Sequence, residues 1–183
     1  TTDIAVFKDR SVYHTSILPV AGRQVTQDIA TGLGLSFDLA EEMKKKYATV
    51  MPATEQGNGD ITIGEDGHRV SSSDLCNIVY ARIEELLRLI VLELPRTDYA
   101  KVIPAGLVLT GGTANLPGIA ELAAALTKLP VRIGNPTARF GTSDILSDPA
   151  YATSVGLVYW KMRNPGIQTL PIEPQGLRHV LYH

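Results

Sequence analysis

LVLTGGTANLPGIAEL, residues 107–122, is the stretch on which the fold turns. An almost continuous apolar run, Gly106-Leu-Val-Leu-Thr, reads as a strand covered on both faces and therefore central in its sheet. Two glycines, Gly111 and Gly112, make the turn that follows. Pro117 suits the first turn of a helix, whose buried face is supplied by Ile119, Leu122, Ala123 and Leu126. A strand ending in paired glycines lets a ligand approach the backbone closely, and a helix start beyond it favours negative charge. The same residues serve equally as a tight strand-to-helix connection with packing glycines, and on this stretch alone both readings stand.

Working outward from it, residues 131–133 form a further strand and residues 134–148 a loop. Residues 150–162 form a last helix with Tyr151, Val155, Val158 and Met162 at inward spacing. Upstream, residues 73–94 keep helical apolar spacing from Leu75 to Leu94, and Pro95 stops them. Toward the start, residues 2–7 and 10–18 are rich in Val, Ile, Phe and Tyr around the polar turn Lys8-Asp9-Arg10, which predicts an antiparallel hairpin. Gly22 then precedes a helix carrying Val25, Ile29 and Leu33 four apart, ended by Gly32 and Gly34. Ser36 caps the next helix, with Leu39, Ala40, Met43 and Tyr47 as its apolar stripe. The stretch MPATEQGNGD, residues 51–60, reads as an exposed loop, followed by short strands at 61–63 and 67–71.

Composition bounds the function. The chain has 183 residues, 44% hydrophobic and 20% charged, and a mean hydropathy of +0.05, enough apolar material to build a core. Its net charge of −2 argues against general nucleic-acid binding, which needs a clustered excess of Lys and Arg. One cysteine, Cys76, forms no internal disulfide and fits a reducing compartment. No stretch approaches the roughly 20 apolar residues of a membrane span, and no signal-peptide pattern opens the chain, so a soluble chain is expected. Its start without methionine, directly in the strand-like TDIAVF, leads us to expect a piece of a longer protein.

Two further constellations bear on chemistry. Glu41, Lys44 and Lys45 share one helix face, where a carboxylate can accept from hydroxyls and an ammonium can approach phosphates; a solvated ion pair is the plain alternative. Thr1-Thr2-Asp3 leads into the hairpin with hydroxyls that suit a phosphate, or else forms a frayed strand end. His14, His68, His179 and His183 lack metal-ligand spacing. Ser71, Ser72 and Ser73 read as helix-capping residues, and Cys76 as a small buried one.

In order, these pieces resemble the second half of the FtsA family, the actin-like proteins of bacterial division. TTDIAVF is similar to the end of that family's second phosphate loop, HTSILPVAGRQVTQDIATGLGLSFDLAEEMKKKYA to the strand and helices that follow it, LTGGTANLPGIAELA to its adenosine loop, and SDPAYATSVGL to the lead into its last helix. The likeness runs to about residue 163. It implies an α/β fold of the ribonuclease-H-like, actin-like ATPase kind: a mixed sheet flanked by helices, with a smaller inserted lobe. Residues 1–34 and 86–163 would form the nucleotide-binding subdomain, 35–85 the lobe, and 164–183 a tail.

The resemblance also implies ATP with Mg2+ as ligand. Thr1 and Thr2 would border the phosphates, Gly111, Gly112, Thr113 and Asn115 would line the adenosine side, and Glu41, Lys44 and Lys45 would approach ribose and adenine. Asn115 stands where related chaperones carry an arginine that stacks on adenine. The implied function is an adaptor that polymerises and ties the tail of the tubulin-like FtsZ to the inner face of the cell membrane at the division site, among other divisome proteins. Residues 164–183 show no basic amphipathic face for membrane attachment. Half of a two-sided cleft would hold ATP weakly and catalyse nothing alone. The competing readings are a kinase or chaperone-type ATPase of the wider ASKHA group, and the actin-like protein of type IV pilus assembly.

Overall fold

The computed structural model describes residues 1–51, 59–63, 68–94, 103–136 and 144–166. The residues Pro52, Gly57 and Pro95, to which a loop and a helix stop are assigned above, and most of the tail lie outside that set.

The hairpin forms as its alternation predicts. Strands β1 (Thr2–Lys8) and β2 (Ser11–Leu18) pair antiparallel, Lys8 opposite Ser11, with a bulge between Val6 and Phe7. Only Asp9 and Arg10 make the turn, and both hold positive φ, 51° and 64°, the geometry that matches the twist of the flanking strands. Neither residue takes it without cost. Arg10→Gly is therefore expected to raise stability by about 1 kcal/mol, read from the urea midpoint of the intact protein.

Helix α1 (Gly22–Leu33) follows. Its first turn is tied by the Ala21 amide donating to Gln24 Oε1 at 2.9 Å, and Gly34 ends it in the left-handed region at φ 66°. Helix α2 (Phe37–Tyr47) is capped by Ser36, whose hydroxyl accepts from the Leu39 amide. Ala40 and Met43 are buried as expected, but Tyr47, on the same face at the last residue of the helix, is exposed. Strands β3 (Asp60–Ile63) and β4 (His68–Ser71) pair antiparallel.

Helix α3 (Ser72–Glu93) supplies the centre of the core. Ser71 caps it, accepting from the Asp74 amide. Leu75, Val79, Ile83 and Leu87 are buried against Val25 and Ile29 of α1 and Ala40 and Met43 of α2, each such side chain contributing about 1.5–3 kcal/mol. Arg82 clamps α3 to α1 through both carboxylate oxygens of Asp28, a two-point geometry that fixes helix register.

Strands β5 (Leu107–Leu109) and β6 (Val131–Ile133) pair in parallel, and helix α4 (Ile119–Thr127) connects them, burying Ile119 and Ala123. Two expectations change here. Among the described residues β5 pairs with β6 alone, and Val108 is 50% exposed, so β5 is not covered on both faces. Pro117 also precedes α4 instead of opening it: a 3-10 turn, Gly112–Asn115, comes first, and Gly118 at φ 85° starts the helix. The last helix, α5 (Ala152–Arg163), follows a 3-10 turn at Pro149–Tyr151 and buries none of its residues. Tyr151, Val158 and Met162, expected inward, are exposed, and Val155 is half-buried.

Among the described residues the strands thus lie in three two-stranded sheets, two antiparallel and one parallel, in a mixed α/β chain. A continuous core runs from β2 through α1, α2 and α3 to α4. Helix α3 passes through residues 85 and 86, the boundary expected between lobe and nucleotide-binding subdomain.

Candidate functional site

Three segments far apart in sequence meet at one cleft of about 670 Å³. The start of α1 gives Gly22 and Arg23; α2 gives Phe37, Glu41, Lys44 and Lys45; the 3-10 turn gives Gly112, Thr113 and Asn115. Asp148 and Ala150 complete the rim. The volume lies within the range of small-molecule sites.

The local chemistry of residues 110–118 places the third wall. Gly111 sits at φ 93° and ψ 170°, backbone that only glycine enters freely, and its amide donates to the Pro149 carbonyl at 3.0 Å. The Thr110 hydroxyl donates to Gly134 O at 2.7 Å, which ties the strand end to β6. Below the cleft, the Pro117 carbonyl accepts from the Val50 amide at 3.0 Å and from the Thr49 hydroxyl at 3.1 Å, joining the end of α2 to the turn. At the other side, Gly22 and Thr113 approach so closely that a Cβ on Gly22 would stand 2.7 Å from Thr113 Oγ1.

The charged wall is an ordered network. Lys44 Nζ donates to Glu41 Oε2 at 2.6 Å, to Thr26 Oγ1 at 2.8 Å and to the Gly22 carbonyl at 3.0 Å, which occupies all three of its protons. The buried Thr26 hydroxyl has two acceptors in range for its one proton, Glu41 Oε2 at 2.5 Å and the Gly22 carbonyl at 3.0 Å. Glu41 Oε1 meets Lys45, whose side chain is 70% exposed, at 3.2 Å. Burial pushes the Glu41 carboxyl up, but hydrogen bonds from Lys44, Thr26 and Lys45 outweigh it and hold the group below its ordinary value. A depressed folded-state pKa contributes stability above the unfolded-state value, about 4.3, and that contribution is lost as pH falls through the folded-state pKa. Glu41→Gln is accordingly expected to lower the urea midpoint at pH 7 and to match the unsubstituted protein once the Glu41 carboxyl of the latter is protonated in both the folded and the unfolded state.

On the facing rim, the Asn115 amide donates to Asp148 Oδ1 at 2.8 Å, and the same oxygen accepts from the Ala150 amide at 2.7 Å. Those two hydrogen bonds hold the Asp148 carboxyl below its usual range. Arg23 lies over the Phe37 ring, 5.6 Å from its centre.

Of the residues singled out from sequence, Glu41, Lys44, Lys45, Gly112, Thr113 and Asn115 share the cleft. Gly111 shapes the turn without lining it. Thr1 and Thr2 also lie outside the lining; the Thr2 hydroxyl donates to the Val20 carbonyl at 2.7 Å, two residues before Gly22. Sequence reasoning missed Arg23, Phe37 and Asp148 as site residues. Asp148 had a legible signal, an Asp-Pro pair that caps a helical turn, whereas the pairing of Arg23 with Phe37 crosses a helix boundary that spacing rules do not span.

The fold is of the actin-like kind. It resembles, at a TM-score of 0.64, two structures of MreB5 from Spiroplasma citri, one bound to ADP and one to AMPPNP, with 17% and 18% identity over 90% of this chain and about half of theirs. The match to ethanolamine utilization protein EutJ of Carboxydothermus hydrogenoformans has a TM-score of 0.52 over 84% of this chain and 43% of that one. More specifically, residues 1–156 match the model of the family described as Cell division protein FtsA, and the chain belongs to that family. It is 39% identical over 167 residues to Cell division protein FtsA of Pseudomonas aeruginosa and 36% identical over 172 residues to that of Bacillus subtilis. These alignments cover 89% and 92% of this chain but 40% and 38% of the relatives, so it spans about two fifths of their length.

Proposed function

We propose that this actin-like cell-division chain forms one wall of an ATP site and acts, in the intact protein, as a polymerising adaptor between FtsZ and the membrane. The observation that carries the reading is the cleft between the α2 charged face and the glycine-bearing 3-10 turn, two segments about seventy residues apart. In this arrangement Gly112, Thr113 and Asn115 border the adenosine, with Gly111 holding their turn, while the face bearing Glu41, Lys44 and Lys45 lies toward ribose and adenine. Thr1 and Thr2, at the approach to α1, border the phosphates, and Mg2+, when bound with ATP, would offset the phosphate charge. A carboxylate beside ammonium groups suits a ligand that offers both hydroxyls and negative charge. The MreB5 structures bound to ADP and AMPPNP support the choice of an adenine nucleotide.

The lobe at residues 35–85 is proposed to dock the FtsZ tail, with the complex held at the inner membrane face. Among the described residues no helix is long and apolar enough to cross a membrane, so attachment would use another segment. Membership of the FtsA family favours the division role over pilus assembly. Nucleotide here is a structural ligand, turned over slowly if at all.

Isothermal titration tests both halves. The intact protein should bind ATP with Mg2+ and an FtsZ tail peptide, whereas residues 1–183 alone should bind ATP at least tenfold more weakly, because the phosphates stay solvated when a cleft has one wall, and each tenfold is about 1.4 kcal/mol. Tight ATP binding by the 183-residue chain would refute the one-wall account, and an intact protein that ignores the peptide would refute the adaptor role.

A further inference from the structure

We infer that Thr26, a residue outside the cleft lining, positions Glu41 for the ligand, and that Lys44 acts with it as the second positioning residue. The inference deepens the nucleotide reading and rests on it for its purpose. Glu41 projects from α2, and on its own helix only Lys44 and Lys45 lie within reach. Of these only the Lys45 pair lies on the exposed face, and a pair of that kind leaves a glutamate side chain several rotamers. Thr26 removes that freedom from another helix: it is fully buried on α1, and its hydroxyl lies 2.5 Å from Glu41 Oε2 and 3.0 Å from the Gly22 carbonyl, so its one proton goes to the shorter contact with the charged oxygen.

The hydroxyl has one proton and two lone pairs, so while it donates to the carboxylate it also accepts from Lys44 Nζ at 2.8 Å. Lys44, 13% exposed, closes the set by donating to Glu41 Oε2 and to the Gly22 carbonyl. Thr26 and Lys44 therefore form one clamp on a single carboxylate oxygen, and the Gly22 carbonyl anchors Lys44. The consequence for the site is a division of labour. Oε2 is held by the protein, and Oε1, shared only with the exposed Lys45, is the oxygen presented to a ligand hydroxyl. With all three of its protons engaged, Lys44 contributes through Glu41, while Lys45 and Arg23 are the cations of this wall that meet the ligand directly.

The groups that set the titration of Glu41 are Lys44 and Lys45 on its own helix and Thr26 on α1, while Arg23 on α1 and Asp148 on the rim are the other charged groups that line the cleft. The experiment uses the intact protein with Thr26→Val, which keeps the volume and deletes the hydroxyl, Thr26→Ser, which restores it, and Lys44→Met. The Glu41 carboxyl-carbon NMR signal, assigned by its loss in Glu41→Gln, is followed against pH, and ATP affinity is measured alongside.

Thr26→Val and Lys44→Met should each move the Glu41 midpoint upward, Thr26→Ser should leave it in place, and Thr26→Val should weaken ATP binding about five- to tenfold, the size of effect that one ordinary hydrogen bond carries. A Glu41 midpoint unchanged in Thr26→Val overturns the inference, whatever ATP does. A moved midpoint with unchanged ATP affinity also overturns it, since Glu41 would then be held for packing alone. If the unsubstituted protein binds no ATP, the nucleotide reading itself fails, and the titration still decides whether Thr26 and Lys44 hold the carboxylate. Should Thr26→Val not fold, Lys44→Met reads the same clamp from its other end.

Discussion

Replacing Gly106 by alanine is expected to destabilise the intact protein by about 3 kcal/mol, and to do so at a position with no part in the cleft lining. Two costs add. Gly106 holds φ 82°, where a side chain costs about 1–2 kcal/mol. Its Cβ would also stand 2.0 Å from the Pro130 carbonyl oxygen, which cannot rotate away because it accepts the Leu107 amide at 2.8 Å and so starts the pairing of β5 with β6. Moving that oxygen breaks a ladder bond, and forcing an extra methyl into filled space costs about 1–3 kcal/mol. Gly34 provides the comparison. It too has positive φ, 66°, but nothing lies within 4 Å of its added Cβ, so Gly34→Ala should cost only the backbone share, about 1 kcal/mol. Urea midpoints of the two variants separate the terms, and equal losses would mean that the clash at Pro130 is relieved by backbone movement.

That contrast also bears on what the sequence can reveal. Gly34 was legible, because a glycine just past a helix of four-residue spacing is an end signal. Gly106 was not, because its constraint comes from Pro130, across a βαβ unit. The same division runs through the fold. The helices with a sustained apolar stripe, α1 and α3 above all, appeared where their spacing placed them. The exposure of α5 did not, since Tyr151, Val158 and Met162 keep helical spacing whether or not anything lies against them. Likewise an apolar triplet such as Leu107–Leu109 shows that a strand forms, and says nothing of how many strands flank it.

The site divides in the same manner. Glu41, Lys44 and Lys45 were visible as one face of a helix, and Gly112 to Asn115 as a turn, yet their convergence depends on Gly22 lying against Thr113 and on Pro117 receiving bonds from Thr49 and Val50. The family resemblance supplied that convergence, which no single motif contains. Thr26 illustrates the remainder: a buried threonine one turn into an amphipathic helix reads as packing, and only its distances to Glu41 and Lys44 show otherwise.

Gly22→Val should therefore separate binding from stability more cleanly than any change to a charged residue. Gly22 opens α1, and its added Cβ would lie 2.7 Å from Thr113 Oγ1 and 3.5 Å from Lys44 Nζ, side-chain atoms of residues on two different walls of the cleft. Alanine there gains about 1 kcal/mol of helix propensity and displaces a single hydroxyl that can rotate, so its net effect on folding is small. Valine adds two methyl groups beside Thr113 and the Lys44 ammonium, displacing both, while its own preference over glycine for the helix offsets part of the strain. The wall spacing changes although the core, built on Val25, Ile29 and α3, does not. The intact Gly22→Val protein is expected to lose at least tenfold in ATP affinity, about 1.4 kcal/mol, with Gly22→Ala between it and the unsubstituted protein. Its melting temperature should fall by no more than a few degrees, as about 1 kcal/mol or less allows in a protein of this family's size. Unaltered ATP affinity in a folded Gly22→Val protein would place the nucleotide elsewhere, because no ligand seated between Thr113 and Lys44 could ignore a side chain introduced between them.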